Sequence, residues 1–293
     1  MQTFDYYAPS SLPEALDLLR QHGEDAKLIA GGTGLINMMK QNLVQPAVLV
    51  DMSKIPGLSY LEPNNGELRI GALTTHRQME TSPVVAQEAP LLAETYRHVA
   101  TVRIRNVATV GGGVAHADPA QDPPPALLAL DARVKAVSSS GERVIPISDF
   151  FVDYYETALS PDELVTEIIV PKPPVGAATC FFKFLPRSAD DYATVSVAAL
   201  LQVGQDGVCQ DVRIGLGSVG STPVRARQAE QVLRGQRLSL EAFQEAAARV
   251  KDEVDPISDV RGSAEYKRDM AEVFTRRALE RCWTLAQARR GAR

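Results

Sequence analysis

The sequence predicts an α+β protein made of more than one packed unit. Its 293 residues exceed a typical single domain. The first part alternates short apolar strands with helices, whereas the last part runs strands first and helices after them. Between the two, the segment from Pro171 to Ala178, PKPPVGAA, has the composition of a linker.

The opening reads as strand FDYYAP, a helix from Leu12 to His22, and strand AKLIA. Ser10 or Ser11 can cap that helix, Pro13 suits its first turn, and Gly23 ends it. Ala15, Leu16, Leu18 and Leu19 form its apolar face. A short helix LINMMKQ and a strand VLVDMS follow. From Glu67 the pattern predicts strand ELRIGAL, a short helix capped by Thr74 or Thr75, and a helix from Pro90 to Val99. The prolines of AHADPAQDPPP are expected to forbid regular structure until LLALDA resumes as helix. RVKAV and ERVIP, separated by SSSG, read as a hairpin. The final unit is expected to hold strands CFFKFL, TVSVAALLQV and DVRIGLGSV, then helices Pro223–Leu233, Leu240–Glu253 and Ser263–Ala288. Met270, Val273, Phe274 and Leu279 lie at helical spacing in the last of these.

Composition removes several function classes. A hydrophobic fraction of 45% with 23% charged residues is that of a soluble protein. No stretch reaches the roughly 20 apolar residues of a membrane helix. The start MQTFDYYAPSS lacks the basic and apolar segments of a secretory signal, which makes the cytoplasm the expected compartment. A net charge of −5 argues against a nucleic-acid partner, and Arg289 and Arg290 read as a solvated tail. Cys180, Cys209 and Cys282 are too scattered for an iron–sulfur or zinc site, so no metal ligands are expected in this chain.

Two glycine-rich turns carry the chemistry, Gly31-Gly32-Thr33-Gly34 and Gly111-Gly112-Gly113. Glycine lets main-chain N–H groups converge on one anion without a Cβ between them, although a tight turn or helix cap is the plainer reading of either alone. Neither matches a Rossmann or P-loop fingerprint. Together they suit a ligand with two phosphates lying between two small subdomains, its charge balanced by the amides of both turns. Asp118 and Asp122 could accept hydrogen bonds from ribose hydroxyls. His22, His98, His76 and His116 have no metal-ligand spacing, and no nucleophile elbow is present. No catalytic acid–base set is therefore assigned.

At AGGTGLINMMK, IRNVATVGGGVAHADPAQDPPPALLALDA and FFKFLPRSADDYATVSVAA, the chain resembles the FAD-binding medium subunit of the carbon monoxide dehydrogenase and xanthine dehydrogenase family of molybdenum hydroxylases. GLGSVGSTPVRARQAE and DVRGSAEYKRDMAEVFTRRAL extend the resemblance over nearly the whole chain. It implies a two-subdomain FAD-binding fold of the vanillyl-alcohol oxidase type, here 1–56 and 57–174. An α+β domain over 175–290 follows, with a three-stranded antiparallel sheet and a helical bundle. It implies FAD as the cofactor, a small partner subunit with two 2Fe–2S clusters, a large molybdopterin subunit, and a dimer of such heterotrimers. Electrons would pass from the clusters through FAD to an external acceptor.

Carried over by position, Leu28 and Ile29 lead into a first pyrophosphate segment, Ala30, Gly31, Gly32, Thr33 and Gly34. Thr109, Val110, Gly111, Gly112 and Gly113 form the second. Asp122 matches a ribose contact, Val165 a hydrophobic neighbour of the ring system, Lys183 a lysine beside the flavin, and Tyr192 a tyrosine near the isoalloxazine. Where the family often has a hydroxyl residue this chain has Gly34, and where it often has Asn this chain has Gly113. A flavin-free scaffold of the same fold and a free-standing flavin oxidase are the competing readings. The oxidised substrate is not encoded here.

Overall fold

A computed structural model describes residues 2–186, 188 and 191–291. The chain begins with β1 (Asp5–Tyr7), α1 (Leu12–His22), β2 (Ala26–Ile29), α2 (Leu35–Lys40) and β3 (Val48–Asp51). The three strands pair in parallel in the order β1-β3-β2. Ser11, not Ser10, caps α1 by accepting from the Glu14 N–H, and Gly23 ends it at φ 52°. Ala15, Leu16 and Leu19 face Val48 and Val50 as their 3.6-residue spacing requires.

A second sheet follows from β4 (Leu61–Asn64) and β5 (Glu67–Gly71). Helices α3 (His76–Thr81), α4 (Pro83–Glu88), α5 (Pro90–Arg97), α6 (Val102–Arg105), α7 (Val110–His116) and α8 (Pro123–Ala129) separate these from β6 (Arg133–Ser138) and β7 (Gly141–Pro146). A small pair, β8 (Phe151–Asp153) and β9 (Glu156–Thr157), precedes β10 (Leu164–Pro171). The main sheet is antiparallel in the order β4-β5-β10-β6-β7. Thr75 caps α3 in a capping box with Gln78, while Thr74 Oγ1 donates to Tyr60 O instead.

Two local expectations fail here for stated reasons. The prolines of DPPP do not delay a helix. Pro123, Pro124 and Pro125 form the first turn of α8, where an N–H would have no intrahelical acceptor. Gly111 to Gly113 are not a turn either. They form the start of α7, whose N-cap is Thr109. Glycine's low helix propensity is overridden because Gly111 packs on Ala72, where a Cβ would approach the Ala72 Cβ to 2.5 Å.

The third unit contains β11 (Ala178–Phe184), β12 (Val195–Val203), β13 (Cys209–Gly217) and β14 (Val224–Arg225), then α9 (Arg227–Leu233), α10 (Leu240–Arg249) and α11 (Ala264–Gly291). Its antiparallel sheet has four strands, not three, because Pro223 starts no helix and Val224–Arg225 pair with β13. Along β12 the side chains alternate between two cores. Val195, Val197, Ala199 and Leu201 meet the C-terminal helices, while Ala198 and Leu200 join the core of the preceding unit. Cys180 and Cys282 lie in the helical core with sulfurs 3.6 Å apart. Among the described residues no helix is long and apolar enough to cross a membrane.

The contact of this sheet with α8 is made backbone to backbone. A Cβ on Gly215 would lie 2.1 Å from the Pro125 carbonyl oxygen. Arg225 reinforces the seam: its Nη1 donates to Leu128 O at 2.8 Å and to Asp131 at 2.7 Å, and its Nε pairs with buried Glu230. Gly215→Ala is expected to push β13 off α8 and lower stability by about 1–3 kcal/mol, as overpacking does. Urea unfolding of the two proteins checks this, with an unchanged midpoint contradicting the tight seam.

Candidate functional site

A cleft of about 750 Å³ lies where the three sheets meet. Its walls include every position the sequence assigned to the cofactor except Val110, the buried first residue of α7. The size is that of a small-molecule site, and the lining mixes apolar walls with a few polar groups.

The two glycine segments are not equivalent. After β2 the chain turns through Ala30, Gly31, Gly32, Thr33 and Gly34 into α2. Gly31 sits so close to the next segment that a Cβ would lie 2.0 Å from Val107 O, and Gly32 takes φ +67°. Among the described residues the N–H groups of Gly31, Gly32, Thr33 and Gly34 have no acceptor within the chain. They are unbonded donors at a cleft wall.

At the second segment the donors are already used. Val110 N–H goes to Thr74 O, Gly111 N–H to Ala72 O, Gly112 N–H to Thr109 Oγ1 and Gly113 N–H to Thr109 O. The expectation that both segments present free amides therefore holds for the first alone. What Gly112 contributes is absence of bulk, since a Cβ there would lie 2.8 Å from Thr109 Oγ1 and 3.8 Å from Ala30 Cβ.

Asp122 precedes α8 and is buried. Its Oδ2 accepts from Lys183 Nζ at 2.8 Å, while Oδ1 has no partner. Burial raises its carboxyl to about 6, and the Lys183 charge only partly opposes this. Lys183, flanked on its strand by Phe182 and Phe184, does not face solvent. Its side chain is 3% exposed and also donates to the carbonyl of His98, the residue that ends α5. Asp118 Oδ1 accepts from Ala120 N–H. Burial raises the phenols of Tyr192 and Tyr155, and Asp118 adds to both shifts.

Val165 forms part of the apolar wall where β10 changes register before Glu167. Tyr192 is half exposed at the mouth, with the Arg261 guanidinium 5.4 Å from its ring centre. Arg261 also pairs with Asp191 and Asp259. The polar stretch Arg187-Ser188-Ala189-Asp190-Asp191 reads from its composition as a loop, and of it Arg187, Ala189 and Asp190 lie outside the described residues.

Sequence reasoning set His76 and His116 aside for want of metal-ligand spacing and did not weigh Gln121 or Tyr155, yet all four line the cleft. His76 is buried and desolvation lowers it to about 4, so it is neutral. Its Nε2 lies 3.1 Å from Thr109 O, steadying the α7 cap. The only sequence hint to His116 is its position three residues after Gly113.

An anionic dinucleotide fits this donor set. Four unbonded amides suit phosphate oxygens, and an orphaned buried carboxylate oxygen suits a ribose hydroxyl. Residues 2–173 match the family described as the FAD binding domain in molybdopterin dehydrogenase, and residues 180–282 match the CO dehydrogenase flavoprotein C-terminal domain. The chain belongs to this family of FAD-carrying oxidoreductase subunits.

Among its relatives, the carbon monoxide dehydrogenase medium chain of Afipia carboxidovorans is 38% identical over 279 residues, covering 95% of this chain and 96% of that one. The nicotine 6-hydroxylase medium subunit of Paenarthrobacter nicotinovorans is 38% identical over 274 residues, 94% of this chain and 95% of that one. The solved carbon monoxide dehydrogenase of Hydrogenophaga pseudoflava superposes with a TM-score of 0.94 at 37% identity, covering 97% of this chain and 98% of that chain.

Lys183→Met removes the charge that holds Asp122 down, so the carboxyl should rise above its present value of about 6. A carboxyl whose folded value lies above its unfolded one favours folding at low pH and loses that contribution as pH rises through the folded value. The variant should therefore lose more stability at pH 8 than at pH 5. Carboxyl NMR titration and urea unfolding at both pH values check this; an equal loss at each would show that Lys183 does not compensate Asp122.

Proposed function

We propose that this chain is the electron-transfer subunit of a cytoplasmic heterotrimeric molybdenum hydroxylase. Its partners are a small subunit with two 2Fe–2S clusters and a large molybdopterin subunit, and two heterotrimers associate. When bound, FAD supplies the redox chemistry that links the partner's clusters to an external acceptor. The observation that carries this reading is the cleft, lined both by the residues whose amides are unbonded and by Asp122, whose Oδ1 is buried without a partner.

In this reading Leu28 and Ile29 deliver the chain to the first segment, and Gly31 to Gly34 donate main-chain N–H groups to the pyrophosphate. Thr109 to Gly113 form the opposite wall, close enough to admit phosphate because no side chain projects from Gly112. Asp122 Oδ1 accepts from a ribose hydroxyl, and Asp118 adds a second acceptor. Lys183 acts through Asp122: its ammonium is engaged by the carboxylate and His98 O, so it positions the acceptor. Val165 borders the ring system, and Tyr192 covers the mouth. The competing flavin-free scaffold gives a colourless protein.

Gly32→Val places a branched side chain at φ +67°, with its Cβ 2.8 Å from Ile36 Cδ1. The turn must change shape and its amides lose their common direction. Losing two charge-assisted bonds of about 1.5–3 kcal/mol each weakens FAD by about a hundredfold or more. The variant is expected to purify folded but colourless, as judged by circular dichroism and acid-released flavin. One FAD retained per folded chain would remove the first segment from the site.

In this reading substrate turnover belongs to the large molybdopterin subunit. The isolated flavin-loaded chain should leave the substrates of the complex untouched, yet after chemical reduction it should pass electrons to an acceptor dye. Turnover at the rate of the whole complex would refute the electron-transfer role.

A further inference from the structure

The cleft contains a histidine to which the pyrophosphate arrangement above gives no task. His116 ends α7, and its ring reaches across to the first glycine segment. A Cβ built on Gly34 would lie 2.5 Å from His116 Nε2 and 2.8 Å from Cδ2. The imidazole thus stands in the space that any side chain at position 34 would need.

The ring is braced from behind. Tyr155, at φ +57° in the turn between β8 and β9, places its ring 5.2 Å from the His116 ring and donates its N–H to Ala117 O. Among the described residues neither ring nitrogen of His116 has a hydrogen-bond partner. Desolvation keeps the imidazole below its usual value, against the opposing charge of Asp118. A neutral imidazole of this kind has one N–H to donate and one lone pair to offer. With Nε2 beside Gly34, it lies next to the unbonded amides of Gly31 to Gly34.

We propose that His116 is a pyrophosphate-binding residue, donating from Nε2 to a phosphate oxygen held by the first glycine segment. Gly34 and His116 then act as a pair, in which a side-chain donor comes from the end of α7 because position 34 carries no side chain. This assignment rests on the dinucleotide reading of the cleft and adds a residue to it. It also explains why Gly34 is glycine although its backbone is helical, at φ −86° and ψ −55°. The backbone permits any residue there, but a side chain would have to displace the imidazole.

The test uses the full chain freed of flavin and three probes. FAD and ADP-ribose share the pyrophosphate, whereas riboflavin has the ring and no phosphate. His116→Ala should weaken FAD and ADP-ribose by about ten- to a hundredfold, the effect of one charge-assisted hydrogen bond, and leave riboflavin unchanged. His116→Gln keeps a side-chain N–H and should recover part of the loss. Gly34→Ser should displace the ring and weaken ADP-ribose on its own. In the Gly34→Ser, His116→Ala double variant the hydroxyl has the vacated space, so the two losses should be far from additive. Unchanged ADP-ribose affinity in folded His116→Ala, or strictly additive losses in the cycle, would overturn the assignment while leaving the flavin site intact. Failure of the wild-type chain to bind either FAD or ADP-ribose would instead overturn the dinucleotide reading itself.

Discussion

The buried ion pair between Lys183 and Asp122 is the constraint on which the rest of the arrangement depends. Both side chains are nearly inaccessible, and each would be costly to bury alone. Their separation of 2.8 Å offsets part of that cost, and the His98 carbonyl satisfies a further ammonium proton. These three groups belong to β11, the start of α8 and the end of α5. Holding them together fixes the C-terminal sheet against the preceding unit in one register. The seam between Gly215 and Pro125 requires that same register, because two backbones in contact have no side chain to yield. Since Lys183 engages Oδ2, it is Oδ1 that is left buried without a partner.

The glycines show how similar sequence can serve different ends. Gly31 and Gly111 are both required by close backbone approach, to Val107 and Ala72 respectively. Beyond that the segments diverge. The first enters α2 without a capping side chain and leaves its amides unbonded. The second is capped by Thr109 and bonded to Ala72 and Thr74, so its amides hold the fold together. Which role a Gly-Gly sequence plays is decided by whether neighbouring acceptors reach its N–H groups, and local sequence does not encode that.

Legibility in the sequence follows the same division. Helix α1, the β6–β7 hairpin and strands β12 and β13 were readable because caps, turn residues and apolar spacing all agree locally. Strand β10 was not. Leu164 to Val170 are buried on both faces, so the alternation that marks a half-exposed strand is missing. Strand β14 is two residues long and lies before a helix, where its residues read as a helix start. Glycine content made the first segment visible. The pairing of Asp122 with Lys183, 61 residues apart, and the approach of His116 to Gly34 exist only in the assembled fold.

The kinds of group facing the cleft also set how the proposed site responds to its surroundings. Main-chain amides have no proton to gain or lose near neutrality, so the contribution of Gly31 to Gly34 is constant while Asp122 changes charge around pH 6. His76 stays neutral through that interval, because burial lowers it to about 4. In the proposed role a hydroxyl donating to Asp122 Oδ1 favours the ionised carboxylate, as the Lys183 charge also does. Ligand and lysine therefore act in the same direction on one buried group. The C-terminal sheet brings Lys183 to that group, so the closure of this sheet and the retention of a dinucleotide are coupled through a single carboxylate.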